Sequence, residues 1–157
     1  MFQKQISACA LAAALTLQTV AIPAQVEAGV RAPVDQIVEI NQENRDLIAR
    51  VVMSEANGEP MIGKVAVVAT IFNRARIYDQ TIAEVIYAPN QYSTADNGEP
   101  TEECYEAIDI YCKVPELYPD DMIYFQLHDY SKYGEDFLPI GSHYFSTKKE
   151  QKDAKAE

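Results

Sequence analysis

Basic residues are scarce in this chain of 157 residues: 13 Lys and Arg stand against 24 Asp and Glu, a formal charge of −11. An acid surplus on that scale argues against nucleic acid as a partner, because phosphates call for clustered Lys and Arg. It also argues against tight adhesion to an anionic wall polymer. Histidine is rarer still, with 2 residues. His128 and His143 with Asp129 could in principle give zinc three ligands, but neither HExxH nor a comparable spacing occurs, so no metal or other cofactor is expected. Only 3 cysteines are present. Cys104 and Cys112 fit one continuous helix, where eight residues at ~1.5 Å separate them by ~12 Å, past the ~7 Å limit of a disulfide. Two unpaired thiols are therefore expected, and the acidic surroundings of Cys104 disfavour a thiolate nucleophile. The chain shows no internal repeat and no domain linker.

The first 28 residues have the pattern of a secretory signal. Lys4 gives a short positive region, and Ile6 to Ile22 form an uncharged, Ala- and Leu-rich run that ends in Ile22-Pro23-Ala24 and Val26-Glu27-Ala28. Gln18 and Pro23 oppose a permanent membrane span. Removal after Ala28 would leave ~130 residues, enough for one compact domain. Residues 29 to 43 are expected to be a polar lead-in, 44 to 147 the folded domain, and 148 to 157 a solvated tail. In that tail Lys148, Lys149, Lys152 and Lys155 alternate with acids.

From Asn44 the apolar residues Leu47, Ile48, Val51 and Val52 recur at spacings of three and four, so a helix is expected up to Asn57-Gly58, closed by a left-handed residue. Pro60 opens a second helix over Met61 to Arg74, apolar enough to be buried. Thr81-Ile82-Ala83-Glu84 is a capping box, and Pro89 closes the short helix it opens. Asp96, Asn97 and Gly98 carry turn chemistry. Thr101 caps a further helix bearing Cys104, Ile108, Tyr111 and Cys112. Met122 to Leu127 and Ser142 to Thr147 are short, aromatic-rich segments expected to pair as antiparallel strands. The sum is a single α+β domain with a helical majority and a small antiparallel β element.

Glu55 is the sharpest candidate for chemistry. It falls near the C-terminal end of the first helix and beside its apolar stripe. Desolvation and the negative end of the helix dipole both favour a protonated carboxyl there, the form a general acid needs. Glu59, four residues on, is expected to cap the helix that begins at Pro60. Asn73, Gln91, Ser93, Tyr124 and His143 are polar groups in or beside apolar runs and need partners, which either a saccharide groove or internal hydrogen bonds would supply.

The run IARVVMSEANGEPMIGKVAVVATIFNR, residues 48 to 74, resembles the signature of the cell wall hydrolase family typified by the spore-cortex-lytic enzymes SleB and CwlJ. TIAEVIYAPNQYS (81 to 93), MIYF (122 to 125) and IGSHYF (140 to 145) are similar to that family in the same order, although MIYFQLHDY departs from the Asn-Pro pattern usual after the aromatic pair. The resemblance implies a lysozyme-like, lytic-transglycosylase-type fold and cleavage of peptidoglycan glycan strands between N-acetylmuramic acid and N-acetylglucosamine. It further implies Glu55 as the acid. Asn73, Gln91, Ser93, Tyr124 and His143 stay groove candidates on their polarity alone, and the export signal fits a site of action outside the cytoplasmic membrane. A hydrolytic muramidase using Glu59 or Asp96 as second carboxylate, a metal-dependent wall amidase or peptidase, and a non-catalytic peptidoglycan-binding module are the competing readings.

Overall fold

The computed structural model describes residues 40–93 and 99–149. The expected signal segment, the expected lead-in up to residue 39, the turn expected at Asp96-Asn97-Gly98 and the residues beyond Lys149 lie outside the described residues.

Four helices are followed by three strands: α1 (Gln42–Ala56), α2 (Met61–Tyr78), α3 (Ile82–Tyr87), α4 (Glu102–Lys113), then β1 (Met122–Leu127), β2 (Gly134–Ile140) and β3 (His143–Lys148). This is the mainly helical α+β architecture expected. The helix α2 organises it. From Gly63 to Phe72 every residue is buried, and a helix that is apolar on all sides can persist in water only if other elements cover all of it. Accordingly α1, α3, α4 and β1 all pack on α2. Phe72 stacks on Tyr111 of α4 with ring centroids 4.8 Å apart, and Ile48, Val52, Ile82, Ile86, Ile108 and Phe145 complete the cluster.

Local chemistry sets the helix ends. Asn41 opens α1 two residues earlier than expected, because its side-chain oxygen accepts the Asn44 amide at 2.8 Å. The end at Asn57 is where the sequence places it, but the device differs. Asn57 keeps right-handed helical angles, and the chain leaves through a turn in which the Glu59 amide donates to the Ala56 carbonyl. The α2 helix runs on to Tyr78, beyond the expected Arg74, and is stopped by Asp79 in the left-handed region at φ 50°. Thr81 and Glu84 form the reciprocal capping box of α3. Thr101 occupies the N-cap of α4, yet its hydroxyl lies against Cys104 Sγ rather than a helix amide. Cys104 and Cys112 are free thiols.

The sheet has the order β1-β3-β2, with both pairings antiparallel. β1 and β3 pair as expected, whereas β2 escaped the sequence reading. Its segment GEDFLPI opens with Gly134 and contains Pro139, both poor strand formers. As an edge strand β2 can hold a proline, since one side of its backbone needs no partner. Irregular register between Met122 and Tyr124 accounts for consecutive burial of Met122 and Ile123, which strict alternation would forbid.

Because Ile71 is fully buried at the centre of α2, Ile71→Ala should destabilise the domain by about 2–5 kcal/mol. Urea unfolding checks this; a loss below ~1 kcal/mol would mean that α2 is not the centre of the core.

Candidate functional site

The helices meet the sheet along a cleft of about 270 Å³ lined by Ser54, Glu55, Gln91, Phe125, Gln126, Leu127, Ser142 and His143. Three elements build it: the last turn of α1, the loop that follows α3, and the facing ends of β1 and β3. Glu55 is the only carboxylate among the described lining residues.

Glu55 is half-buried on the last turn of α1. Its carboxylate accepts a short hydrogen bond from the Ser93 amide, which fixes one oxygen while the side chain stays open to the cleft. The loop that delivers this amide is held from below. Asn90 takes a left-handed conformation at φ 58°, which Asn tolerates, and turns the chain so that Tyr92 points inward. The Tyr92 hydroxyl lies 3.3 Å from the Thr70 hydroxyl on α2. Its ring packs near Phe125, and the Arg74 guanidinium lies over it at 5.8 Å. Burial pushes the Tyr92 phenol up to about 12, so it remains a neutral anchor beside the carboxylate.

The opposite lip is the β2–β3 hairpin. Ile140 pairs with His143, leaving Gly141-Ser142 as a two-residue turn with positive φ at Gly141, the position where such hairpins place glycine. Glu59 grips this turn, accepting from the Ser142 amide at 3.0 Å and from the Ser142 hydroxyl. The approach is so close that a Cβ on Gly141 would stand 1.7 Å from Glu59 Oε2. Glu59 therefore does not cap α2, contrary to the expectation from sequence. The N-cap is Pro60, without a side-chain bond, because the carboxylate is already committed to the hairpin. Burial pushes the Glu59 carboxyl up, but the Ser142 hydrogen bonds, with His143 and Lys64 nearby, outweigh it and hold the group below its ordinary range. Lys64, buried in α2, donates to the Glu59 carbonyl at 2.8 Å and to Glu103 at 2.9 Å, which satisfies a cation that could not otherwise be buried.

The expected groove residues separate into two groups. Gln91 and His143 line the cleft with Glu55, and Ser93 reaches Glu55 through its backbone. Asn73 and Tyr124 are elsewhere. Asn73 is 1 % exposed and donates to the Pro119 and Met122 carbonyls, both at 2.9 Å, pinning the start of β1 to α2. Tyr124 leans the other way from β1, against Gly134 and towards Tyr78, because its neighbour Phe125 takes the cleft side. Tyr92, Gly141, Ser142 and Lys64 are not among the site residues expected from sequence. Gly-Ser between two apolar runs was a readable hairpin signal, and a lone lysine inside MIGKVAVV implied a buried partner. Among the described residues no group of three or more His, Cys, Asp or Glu could hold a metal ion, and no helix is long and apolar enough to cross a membrane.

This arrangement of helices and sheet is similar to two solved structures. The catalytic domain of the Bacillus cereus SleB protein matches with a TM-score of 0.60 at 24% identity, over 71% of this chain and 97% of that one. The catalytic domain of the germination-specific lytic transglycosylase SleB from Bacillus anthracis gives 0.57 at 25% identity, over 69% and 97%. Residues 58–146 match the model of the Cell Wall Hydrolase family, and the chain belongs to that family. The matched stretch begins just after Glu55. A spore cortex-lytic enzyme of Oceanobacillus iheyensis is 35% identical over 74 residues, 43% of this chain and 27% of the relative. One from Bacillus subtilis strain 168 is 35% identical over 68 residues, 40% and 22%. The chain thus spans about a quarter of the length of these relatives.

Asn73 and Gln91 should behave differently on truncation. Asn73→Ala leaves two buried carbonyls without their donor and should cost about 1–3 kcal/mol while the folded fraction keeps its specific activity. Gln91→Ala should melt near wild type and act more slowly. Thermal melts paired with fragment-release assays on purified sacculi check both; a normal rate for Gln91→Ala would remove it from the groove.

Proposed function

We propose that this protein cleaves peptidoglycan glycan strands between N-acetylmuramic acid and N-acetylglucosamine as a lytic transglycosylase, with Glu55 as the acid and then the base. The observation that carries this reading is that Glu55 is the single carboxylate among the described residues of the cleft wall, with Asp96 outside the described residues. Hydrolases of the two-carboxylate kind need a second acidic group ~5–5.5 Å away for retention or ~6.5–9.5 Å away for inversion. Glu59, the nearest acid in sequence, is committed to Ser142 and is 11 % exposed. A route that needs only one carboxyl and a substrate hydroxyl suits this cleft better. The relatives named as spore cortex-lytic enzymes, and the structural neighbour titled a lytic transglycosylase, support the same substrate class.

In the reaction, protonated Glu55 gives its proton to the glycosidic oxygen as the bond from the muramic acid C1 to that oxygen breaks, and positive charge develops on the muramic acid ring. The Glu55 carboxylate then takes the proton of the muramic acid C6 hydroxyl while its oxygen bonds to C1. The product is a 1,6-anhydro ring, no water is consumed, and Glu55 ends protonated again. The Ser93 amide holds the carboxylate in register for both proton transfers, and Gln91 and His143 lie where they can meet the sugar. An enzyme of this kind meets its substrate outside the cytoplasmic membrane, which agrees with the signal-like character of the first 28 residues.

Digestion of purified sacculi followed by mass spectrometry should give muropeptides ending in 1,6-anhydro-N-acetylmuramic acid, one water lighter than lysozyme products. Glu55→Gln keeps the shape but cannot donate a proton, and should lower the rate by at least ~10²- to 10⁴-fold. Reducing-end muramic acid alone would point instead to a hydrolytic muramidase, and an active Glu55→Gln protein would remove Glu55 from the chemistry. Loss of activity in EDTA, restored by zinc, would favour a metal-dependent wall amidase or peptidase.

A further inference from the structure

Glu59 joins the cleft's two lips without lining the cleft itself. It leaves the chain four residues after Glu55, in the connection between α1 and α2, and its carboxylate takes both polar groups of Ser142 at the tip of the hairpin. Next to Ser142 stands His143, a cleft residue that is 4 % exposed. Its Nδ1 is buried without a hydrogen-bond partner, and Glu59 Oε1 lies 4.0 Å away. The Phe125 ring meets the imidazole edge-on at 5.1 Å, so the ring is packed on one side and faces an acceptor on another. On the far side of Glu59, Lys64 ties the Glu59 carbonyl to Glu103 of α4, which anchors the backbone from which the carboxylate reaches out. Gly141 admits the contact, since no side chain would fit between the turn and the carboxylate.

We infer that Glu59 is a positioning residue, which clamps the Gly141-Ser142 turn and thereby sets His143 in the cleft wall at a fixed distance from Glu55. The inference rests on the glycan-cleaving reading for what the cleft does, but the clamp itself is a property of these contacts. Glu59 and Glu55 share one short stretch of chain, so a single backbone connection sets the places of both the reacting carboxyl and the opposing lip. The ionised state of Glu59 suits this task, because a carboxylate accepts both Ser142 bonds at once.

The test uses the full chain with Glu59→Ala, Glu59→Gln, Ser142→Ala and the Glu59→Ala/Ser142→Ala pair, assayed on purified glycan strands. Misplacing the lip should lower the turnover of Glu59→Ala roughly ten- to a hundredfold. Glu59→Gln should recover much of that loss, since its amide oxygen still accepts the Ser142 amide. The double variant should be no slower than Glu59→Ala alone, as both changes break one contact. Hydrogen exchange at the Ser142 amide should quicken in Glu59→Ala. Should that variant fail to fold, Glu59→Gln and Ser142→Ala decide the matter. Three results would overturn the clamp: unchanged turnover per folded molecule in Glu59→Ala, Glu59→Gln as inactive as Glu55→Gln, or Ser142 exchange that does not respond. Wild-type protein that releases no glycan fragments would sink the proposed reaction alone, with Ser142 exchange still deciding the clamp.

Discussion

The structure depends on one constraint, the need to cover α2 on every side. The segment VAVVATIF offers no polar face to water, and each buried Val or Ile contributes about 1.5–3 kcal/mol only if its surroundings are complete. Three helices and a strand meet that need, and their arrangement leaves a seam where the helical layer gives way to the sheet. The cleft lies along that seam. It is a consequence of closing a helical core with a sheet edge, and Glu55 is at hand because α1 ends there.

Polar side chains rooted in or beside α2 fasten the seam. Asn73 binds the start of β1, Lys64 binds the Glu59 carbonyl and α4, Thr70 meets Tyr92, and Glu59 binds the hairpin turn. Each is a buried or half-buried polar group, costly when alone and directional when paired. Apolar packing brings the layers together, whereas these few bonds decide which residue faces which across the cleft. This division explains why the supports of Glu55 and His143 belong to the core rather than to the groove.

Family membership and geometry bear on different parts of the molecule. The family match covers the α2 helix, the loop and the sheet and begins after Glu55, while the cleft draws α1 into the same site. The likeness to the SleB catalytic domains extends across nearly the whole length of those domains. In this chain that fold brings together Glu55, the loop amide that bonds it and the hairpin that faces it.

Much of the fold was legible in the residues, because helices announce themselves locally. The three- and four-residue spacing of α1, the Pro60 start of α2, the Thr81–Glu84 box and the apolar strands β1 and β3 all follow from interactions between near neighbours in sequence. The strand β2 was hidden since Gly134 and Pro139 are poor strand formers, and only its place at the sheet edge makes them acceptable. Glu55 was picked out by its position at a helix end, and Gln91 and His143 by their polarity amid apolar residues. The same criterion also selected Asn73 and Tyr124, since polarity in an apolar run shows that a partner is needed but not which one. The role of Glu59 was beyond local reading altogether. Its partner lies 83 positions away, and next to Pro60 a carboxylate resembles a helix cap. What the sequence by itself determined is therefore the elements, the buried helix and the candidate acid, all governed by contacts a few residues apart. Only the tertiary structure decided which polar groups share the cleft and which fasten the core, because hydrogen-bond partners are chosen by distance in space once α2 has been covered.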